Sequence, residues 1–484
     1  MATGETRKII LLEANEVPFR VIDHHVNKSS GPLTTFLKRS TQYVSECPDE
    51  IELDPWISWP TLHRGVNDKH HGILHLGQSL DKADTDYPPI WSLLTQQGVT
   101  CGIFGSLHSS HLIEDIEDYA FYLPDFFTHE SFAHPKALKP FQDFNLAMTR
   151  RSARNVDTGL PASEAMSFIK SLPGIGVTLG TMATIGRQLA NERVSPRMKI
   201  RRRSMQPILG LDVFLDQLKK TKPEFATFYT NHVAANMHRY WAATFPNDEN
   251  GADVDDAWVA QYQGEVDHAM TVLEHMVDRL MRFVERNDDY LLVFASSLGQ
   301  AAVPGEHTKG FYTVTDLDKF MAAMGVEPDA YEERYAMVPC RSVMVAPEKA
   351  DAFAKRMDGL IFGNHRLAET INEMPPLSYD RKENGSFQLY IYFDHYDGPT
   401  TGTLGDKPVS FEDVGIGWFE HEDNVACTAH HIHDGALIVY DPRAPLDEAK
   451  PRARVRTTAV APAILKNFRI ETPAYMKDNG LNLT

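Results

Sequence analysis

The sequence predicts an α/β protein, with a three-layer α/β/α sandwich built on a mostly parallel central sheet and an inserted, mainly helical cap. Residues 8–14 and 290–295 are continuous apolar runs, which are typical of strands buried on both faces of a sheet. Such runs alternate with amphipathic segments, as in chains that build parallel sheets covered by helices. Between residues 130 and 210 the apolar runs stop and Pro and Gly recur, which indicates an insertion. We therefore predict a core of residues 1–129 and 211–484 with a cap at 130–210.

The elements follow in order along the chain. Residues 8–14 predict a strand that ends at the polar pair Asn15 and Glu16, and residues 17–44 predict helices with a break near Gly31 and Pro32. Further elements are a strand at 41–54, a helix from 90, a strand at 99–104, a strand at 225–230, a helix at 256–286 and a strand at 290–295. Beyond these we expect helices near 315–325 and 348–358, strands at 340–346, 387–393 and 435–440, and a turn-rich stretch at 395–415.

The composition limits the possible functions. The chain has 48 basic and 66 acidic residues and a formal charge of −18, which argues against nonspecific binding to nucleic acid and to anionic membrane surfaces but leaves room for a local basic patch. No apolar run reaches the roughly 18 residues of a membrane span. The first residues lack an apolar signal region, and the four Cys are widely spaced, so we expect a cytoplasmic protein with free thiols.

Residues 54–73 are unusually dense in Pro, Trp, His and hydroxyl side chains, and we predict a functional loop here. Ser58 and Thr61 are the candidate nucleophiles, although a hydroxyl needs a metal ion or a base beside it, and each one alone is more often a turn or cap residue. Trp56 and Trp59 are expected to line a substrate pocket.

Polar side chains follow the predicted strands, at the edge where open parallel sheets bind ligands. Glu13, Asn15, His232, His238 and His431 are the main candidates, because imidazole and carboxylate groups suit zinc and similar divalent ions. The chain has 21 His, so many of them are expected to be surface or hydrogen-bonded core residues. The cap carries Arg201 and Arg202, which either bind an anionic substrate or belong to a solvated charged face.

The order of these motifs resembles the alkaline phosphatase superfamily, and within it the type I phosphodiesterase/nucleotide pyrophosphatase branch. That family has a first strand ending in a metal-binding Asp, a hydroxyl nucleophile before a His-Gly-Ile tag, and Asp-x-x-x-His and Ser-Asp-His-Gly segments, with a late His near a Gly. The matching positions here are residues 8–15, Gly65 with 71–73, residues 90–105, 225–241, 289–299 and 431–435.

Several positions depart from the family pattern. Asn15 stands where the first Asp is expected, Pro55 stands where counting back from Gly65 places the nucleophile, and Leu298 replaces a His. His238 and His431 carry over. The resemblance therefore implies at most one divalent ion, with zinc favoured, held by His238, His431 and a third group such as His232, Asn15 or Glu13.

The expected function is that of a divergent hydrolase or transferase acting on a small phosphate or sulfate ester. The alternative is a binding or scaffold protein on the same fold that has lost its chemistry. Metal-independent acid–base catalysis by the His-rich site is a third possibility.

Overall fold

The structure is a computed structural model of the 484-residue chain. It describes residues 5–74, 78–110, 116–128, 131–153, 168–248, 251, 254–303, 310–334, 336, 340–370, 376–382, 385–394, 396–420, 427–445, 451–477 and 480–483. Within these ranges, no helix is long and apolar enough to cross a membrane.

The strands and helices are numbered along the chain. The strands are β1 Lys8–Ala14, β2 Ser40–Glu46, β3 Cys101–Phe104, β4 Phe121–Leu123, β5 Phe225–Thr230, β6 Tyr290–Ala295, β7 Gly299–Ala302, β8 Gly310–Val314, β9 Tyr331–Arg334, β10 Cys340–Val345, β11 Leu360–Phe362, β12 His365–Arg366, β13 Ala368–Glu369, β14 Leu377–Arg381, β15 Ser386–Ile391, β16 Phe393–Asp394, β17 Thr401–Leu404, β18 Lys407–Ser410, β19 Ile416–Glu420, β20 Ala429–Ile432, β21 Asp434–Tyr440 and β22 Ala453–Arg456. The helices are α1 Phe19–Lys28, α2 Pro32–Lys38, α3 Pro55–Arg64, α4 Asp68–His71, α5 Asp81–Asp86, α6 Ile90–Gln96, α7 Lys139–Ala153, α8 Leu179–Val194, α9 Met205–Thr221, α10 His232–Thr244, α11 Asp256–Tyr262, α12 Glu265–Glu285, α13 Leu317–Ala323, α14 Pro347–Met357 and α15 Val460–Asn467.

The central sheet has eight strands in the order β22-β2-β21-β6-β1-β5-β3-β4. All neighbouring pairs are parallel except those that β21 makes with β2 and β6. The predicted mostly parallel sheet is confirmed.

Apolar side chains cover both faces of the sheet. Alternation along β1 directs Ile10 and Leu12 into one buried cluster, with side chains of α1, α2, α9, α10 and α12. Ile9 and Leu11 enter a second cluster, with side chains of α3, α6 and α15. Helices therefore lie on both faces of the sheet, which confirms the predicted three layers.

A third apolar cluster lies outside the central sheet, within residues 310–420. Its strands form smaller sheets, in the orders β13-β14-β15-β10-β9, β12-β11-β17-β18 and β16-β8-β19. The predicted turn-rich stretch at 395–415 was wrong in part, because β17 and β18 pair there as a hairpin. The described part of the cap, residues 131–153 and 168–210, is helical, and its boundaries stay a prediction.

Two other sequence interpretations are corrected. The predicted helix at 256–286 is two helices, because the chain breaks at Gln263 and Gly264 between α11 and α12. The predicted loop at 54–73 is wrong, because this stretch forms α3 and α4. Asp54 caps α3, and the helix ends at Gly65 in the left-handed conformation that glycine favours.

Candidate functional site

Three strands of the central sheet bring polar residues to one edge. Asn15 and Glu16 follow β1, Asn231 follows β5, and Ser297 lies just beyond β6. The Asn15 amide donates to Asn231 Oδ1 at 2.8 Å, so the residues beyond β1 and β5 are joined. Glu16 has a φ of +59°, a left-handed conformation that is uncommon outside glycine and concentrates at functional sites.

Glu16, His238 and His431 form a compact group at this edge. Glu16 Oε2 lies 2.9 Å from His238 Nε2 of α10 and 3.3 Å from His431 Nε2 of β20. One potential ligand atom from each residue lies within 4.8 Å of the other two. The Glu16 side chain is buried. Two imidazoles and one carboxylate thus converge from three different elements.

The backbone fixes the orientation of both imidazole rings. His238 Nδ1 lies 2.8 Å from the Ala429 carbonyl oxygen, and His431 Nδ1 lies 2.6 Å from the Leu53 carbonyl oxygen. A carbonyl oxygen only accepts, so each Nδ1 must carry a hydrogen and donate it. Each Nε2 is left facing Glu16, which is how metal-binding histidines are commonly oriented by a second partner.

The three side chains stabilise one another as charged groups. Burial alone would raise the pKa of Glu16, but His238 and His431 outweigh it and hold that pKa well below its usual range. Burial alone would lower the pKa of His238, whereas the facing Glu16 carboxylate raises it well above its ordinary value. The pKa of His431 is raised for the same reason.

The donor set fits one divalent ion. Zinc–nitrogen bonds of about 2.0–2.1 Å and tetrahedral angles place ligand atoms roughly 3.3 Å apart. The observed separations of 2.9 and 3.3 Å are close to that value. Two His and one Glu, with a fourth position left for water or substrate, are typical of catalytic zinc sites. Among the described residues this is the single group of three or more His, Cys, Asp or Glu with such spacing.

Two amide side chains complete the surroundings of Glu16. Asn15 Nδ2 donates to Glu16 Oε1 at 2.5 Å, and Gln300 Nε2 of β7 donates to Glu16 Oε2. Trp59 Nε1 donates to Asn15 Oδ1 at 2.8 Å. Glu16 is one of the polar residues that follow the predicted strands, but it was not among the predicted ligands, and Gln300 was not predicted for the site. The position of Glu16, directly after Asn15, was the available signal.

Glu13 and His232, the other predicted ligands, lie outside this group. Alternation along β1 turns Glu13 to the face covered by α3, where its Oε1 lies 2.7 Å from His63 Nε2. His232 Nδ1 lies 2.7 Å from the Thr230 hydroxyl, and its Nε2 donates to the Ala269 carbonyl at 3.1 Å. Burial lowers the pKa of His232 to about 4.

The two candidate hydroxyls of α3 have different surroundings, although both residues are buried. His71 Nδ1 accepts from the Ile73 N–H, so His71 Nε2 carries the hydrogen and donates to Thr61 Oγ1 at 3.0 Å. The Thr61 hydroxyl in turn donates to Asp49 Oδ1 at 2.6 Å. Ser58 Oγ lies 2.8 Å from Ser297 Oγ. The Thr61 hydroxyl therefore both accepts and donates a side-chain hydrogen bond. The Ser58 hydroxyl has one side-chain contact, with Ser297.

Trp56 and Trp59 occupy different environments. Trp59 is fully buried against the sheet, so it holds Asn15 in place and does not form a pocket wall. Trp56 is partly exposed and packs against His108 with ring centroids 3.9 Å apart and ring planes tilted by 54°. Pro60 lacks an N–H, so it cannot bond the Trp56 carbonyl four residues earlier; that oxygen accepts from His108 Nε2 at 2.6 Å.

Arg201 and Arg202 bind carboxylates of the protein itself. Arg201 makes two hydrogen bonds to Glu265, at 2.7 and 2.9 Å. Arg202 makes bonds of 2.6–3.0 Å to Glu192. Both guanidinium groups are thus engaged within the chain, so a substrate would have to compete with these ion pairs.

The raised pKa of the buried Asp49 side chain should make the stability of the protein depend on pH. Burial raises its pKa to about 6, against hydrogen bonds from Thr61 and Cys47 that lower it, and its ordinary value is 3.8. The pKa of Asp49 is higher in the folded protein than in the unfolded chain. The contribution of the protonated Asp49 side chain to the free energy of unfolding is therefore fully present below pH 3.8 and is lost as pH rises through about 6. The free energy of unfolding of the wild type should fall by about 3 kcal/mol across that range because of Asp49, and Asp49→Asn should abolish this part of the fall.

Urea denaturation of both proteins at several pH values measures this effect. Burial also raises the pKa of Asp125 to about 6, but Asp125 is present in both proteins, so the difference curve isolates Asp49. Identical slopes for the wild type and the variant would contradict the assignment.

The sequence matches no protein-family model and no curated protein. Solved structures are similar to the chain at low identity. Murine ectonucleotide pyrophosphatase/phosphodiesterase 5 has 10% identity and a TM-score of 0.39, with 96% of each chain covered. An alkaline phosphatase from the Antarctic bacterium TAB5 has 9% identity and a TM-score of 0.37, covering 97% of this chain and 100% of that one.

A third similar structure is phosphonoacetate hydrolase from Sinorhizobium meliloti, with 10% identity, a TM-score of 0.41 and 96% of each chain covered. All three of these proteins are members of the alkaline phosphatase superfamily.

Proposed function

We propose that this chain is a hydrolase or transferase that acts on a small phosphate or sulfate ester with one divalent ion, zinc being favoured. Glu16, His238 and His431 would hold the ion. The observation that carries the proposal is the orientation of the two imidazoles, whose Nδ1 atoms both donate to backbone carbonyls and whose Nε2 atoms both face one carboxylate. The order of sequence motifs supports an ester of phosphoric or sulfuric acid as the substrate class.

A divalent ion at this position would stabilise negative charge on the ester oxygens and lower the pKa of a bound water. The residues of the chain have separate roles. Asn15 and Gln300 hold the Glu16 carboxylate by its two oxygens, so its position does not depend on the ion alone. The main chain holds both imidazoles in the tautomer that presents Nε2.

Ser58 is the hydroxyl that we propose for a nucleophilic role. It lies in the first turn of α3, and its Oγ contacts Ser297 beyond β6, at the same edge of the sheet as Glu16. We prefer Ser58 to Thr61 for this role because the Thr61 hydroxyl accepts from His71 and donates to Asp49. A loss of about a hundredfold or more in kcat for Ser58→Ala would support attack by Ser58, and a small change would favour attack by water.

The second candidate function is binding without catalysis. It is favoured by the contacts within the group, since Glu16 lies within hydrogen-bond distance of both imidazoles and raises the pKa of each, which favours ion pairs that need no bound metal. In that case Glu16, His238 and His431 would form an ion-pair network with a structural role at this edge of the sheet.

An activity assay tests the proposed function. The wild type is incubated with phosphodiesters, phosphomonoesters and sulfate esters in the presence of Zn²⁺ or Mn²⁺, and Glu16→Gln is assayed beside it. We expect turnover of one ester class that falls at least about a hundredfold in the variant, because an ion ligand is lost. His430→Asn is the matched control, since His430 is the exposed neighbour of His431 and lies outside the group. Absence of turnover for every ester would contradict catalysis.

A further inference from the structure

Helix α8 in the cap exposes three large apolar side chains and buries three polar ones, although Ile185 packs against the core. Leu179 and Val194 are 89% and 88% exposed, and Met182 is also exposed. Thr181, Gln188 and Glu192 are buried. At 100° per residue, the three apolar side chains fall on one side of the helix and the three polar ones on the opposite side. A helix of a soluble domain normally buries its apolar side.

The polar side anchors α8 to the rest of the chain. Glu192 receives hydrogen bonds from Arg202, and Gln188 Nε2 donates to the Met198 carbonyl at 2.7 Å. Both partners belong to the 3₁₀ segment Pro196–Ser204 that follows the helix. These polar contacts orient α8 so that Leu179 and Val194 face away from the protein.

The exposed side of α8 is also basic. Residues 168–203 contain eight basic residues and one acidic residue, in a chain with 48 basic and 66 acidic residues. Glu192, the one acid, is buried against Arg202. Five of the basic residues are exposed, namely Lys170, Arg187, Arg193, Arg197 and Lys199. We call Leu179, Met182, Arg187, Arg193 and Val194 the outer face of α8.

We propose that the outer face of α8 binds the surface of an anionic lipid bilayer. Exposed apolar side chains flanked by Arg are what an interfacial helix presents to lipid, with the apolar groups entering the headgroup region and the guanidinium groups contacting the phosphates. A second copy of the chain is disfavoured as the occupant, because it would place Arg187 and Arg193 against the same cations. The lipid surface supplies the complementary charge.

Vesicle binding tests this proposal. The 484-residue chain is mixed with phosphatidylcholine vesicles, with or without about one-third phosphatidylserine, and the bound fraction is measured by flotation at low and high salt. We expect binding to the anionic vesicles, weaker binding to the neutral ones, and a decrease with added salt.

Paired substitutions assign the binding to the helix. Leu179→Ser/Val194→Ser is expected to weaken it at least tenfold through lost apolar burial. Arg187→Gln/Arg193→Gln is expected to weaken it about thirtyfold, since each cation contributes about fivefold at an anionic surface. Ile361→Ser and Lys355→Gln, which change exposed residues elsewhere, are matched controls that retain binding. All the substituted side chains are exposed, so the melting temperature should remain unchanged.

Three outcomes would overturn the proposal. The first is no binding of the wild type to anionic vesicles at low salt. The second is undiminished binding by both paired variants. The third is a dimer in sedimentation experiments that Leu179→Ser/Val194→Ser dissociates without any vesicle binding, which would assign the outer face of α8 to a second copy of the chain.

Discussion

Replacement of His238 and His431 by alanine is expected to abolish the retention of zinc, with the affinity falling at least a hundredfold. In the proposed site the two imidazoles would supply two of the three ligands, and the Glu16 carboxylate alone would not hold the ion. Glu16→Gln is expected to act in the same direction, because it removes the negative charge that compensates the ion. Metal analysis of protein purified without chelator, followed by calorimetric titration with Zn²⁺, measures the effect.

Three control variants make this result specific. His430→Asn changes the neighbouring residue on β20 and should leave zinc affinity unchanged. Glu13→Gln and His232→Asn change the ligands expected from the sequence, and both should retain the ion, since neither side chain belongs to the group. Zinc loss in Glu13→Gln or His232→Asn, with retention in Glu16→Gln, would refute the ligand set proposed from the structure.

Replacement of His63 by leucine is expected to lower the free energy of unfolding by about 3–5 kcal/mol. Glu13 Oε1 and His63 Nε2 are 2.7 Å apart, and both side chains are almost completely buried. Glu13 Oε2 already has no hydrogen-bond partner, so removal of the imidazole leaves a buried carboxylate with neither its ion pair nor its hydrogen bond. Urea denaturation followed by circular dichroism measures the change.

The double variant Glu13→Leu/His63→Leu is the control for this pair. Removing both partners leaves no uncompensated charge, so the double variant should be more stable than the sum of the single changes predicts. Additive losses would show that Glu13 and His63 do not stabilise each other. A loss of zinc on titration of the folded His63→Leu variant would instead connect this pair to the ion site.

Local patterns predicted the central strands of the sheet, but not the edge strands β4 and β22. The buried runs at residues 8–14, 225–230 and 290–295 form β1, β5 and β6, because a strand covered on both faces needs apolar residues at every position. Asp54 before Pro55 and Gly65 after Arg64 are local signals for the two ends of α3. Pro60, which is uncommon inside a helix, and the crowding of Trp and His favoured the incorrect prediction of a loop.

The sequence by itself determined the α/β class, the parallel core strands, and two ion-binding candidates, His238 and His431. The tertiary structure decided the third member of that group. Glu13 and Glu16 are three residues apart, but pairing within the sheet buries Glu13 beneath α3, whereas Glu16 lies beyond the last residue of β1. Gln300 and the backbone carbonyls that orient the imidazoles join the site from distant parts of the chain. Side-chain direction at a strand end depends on such long-range packing, which local sequence patterns do not encode.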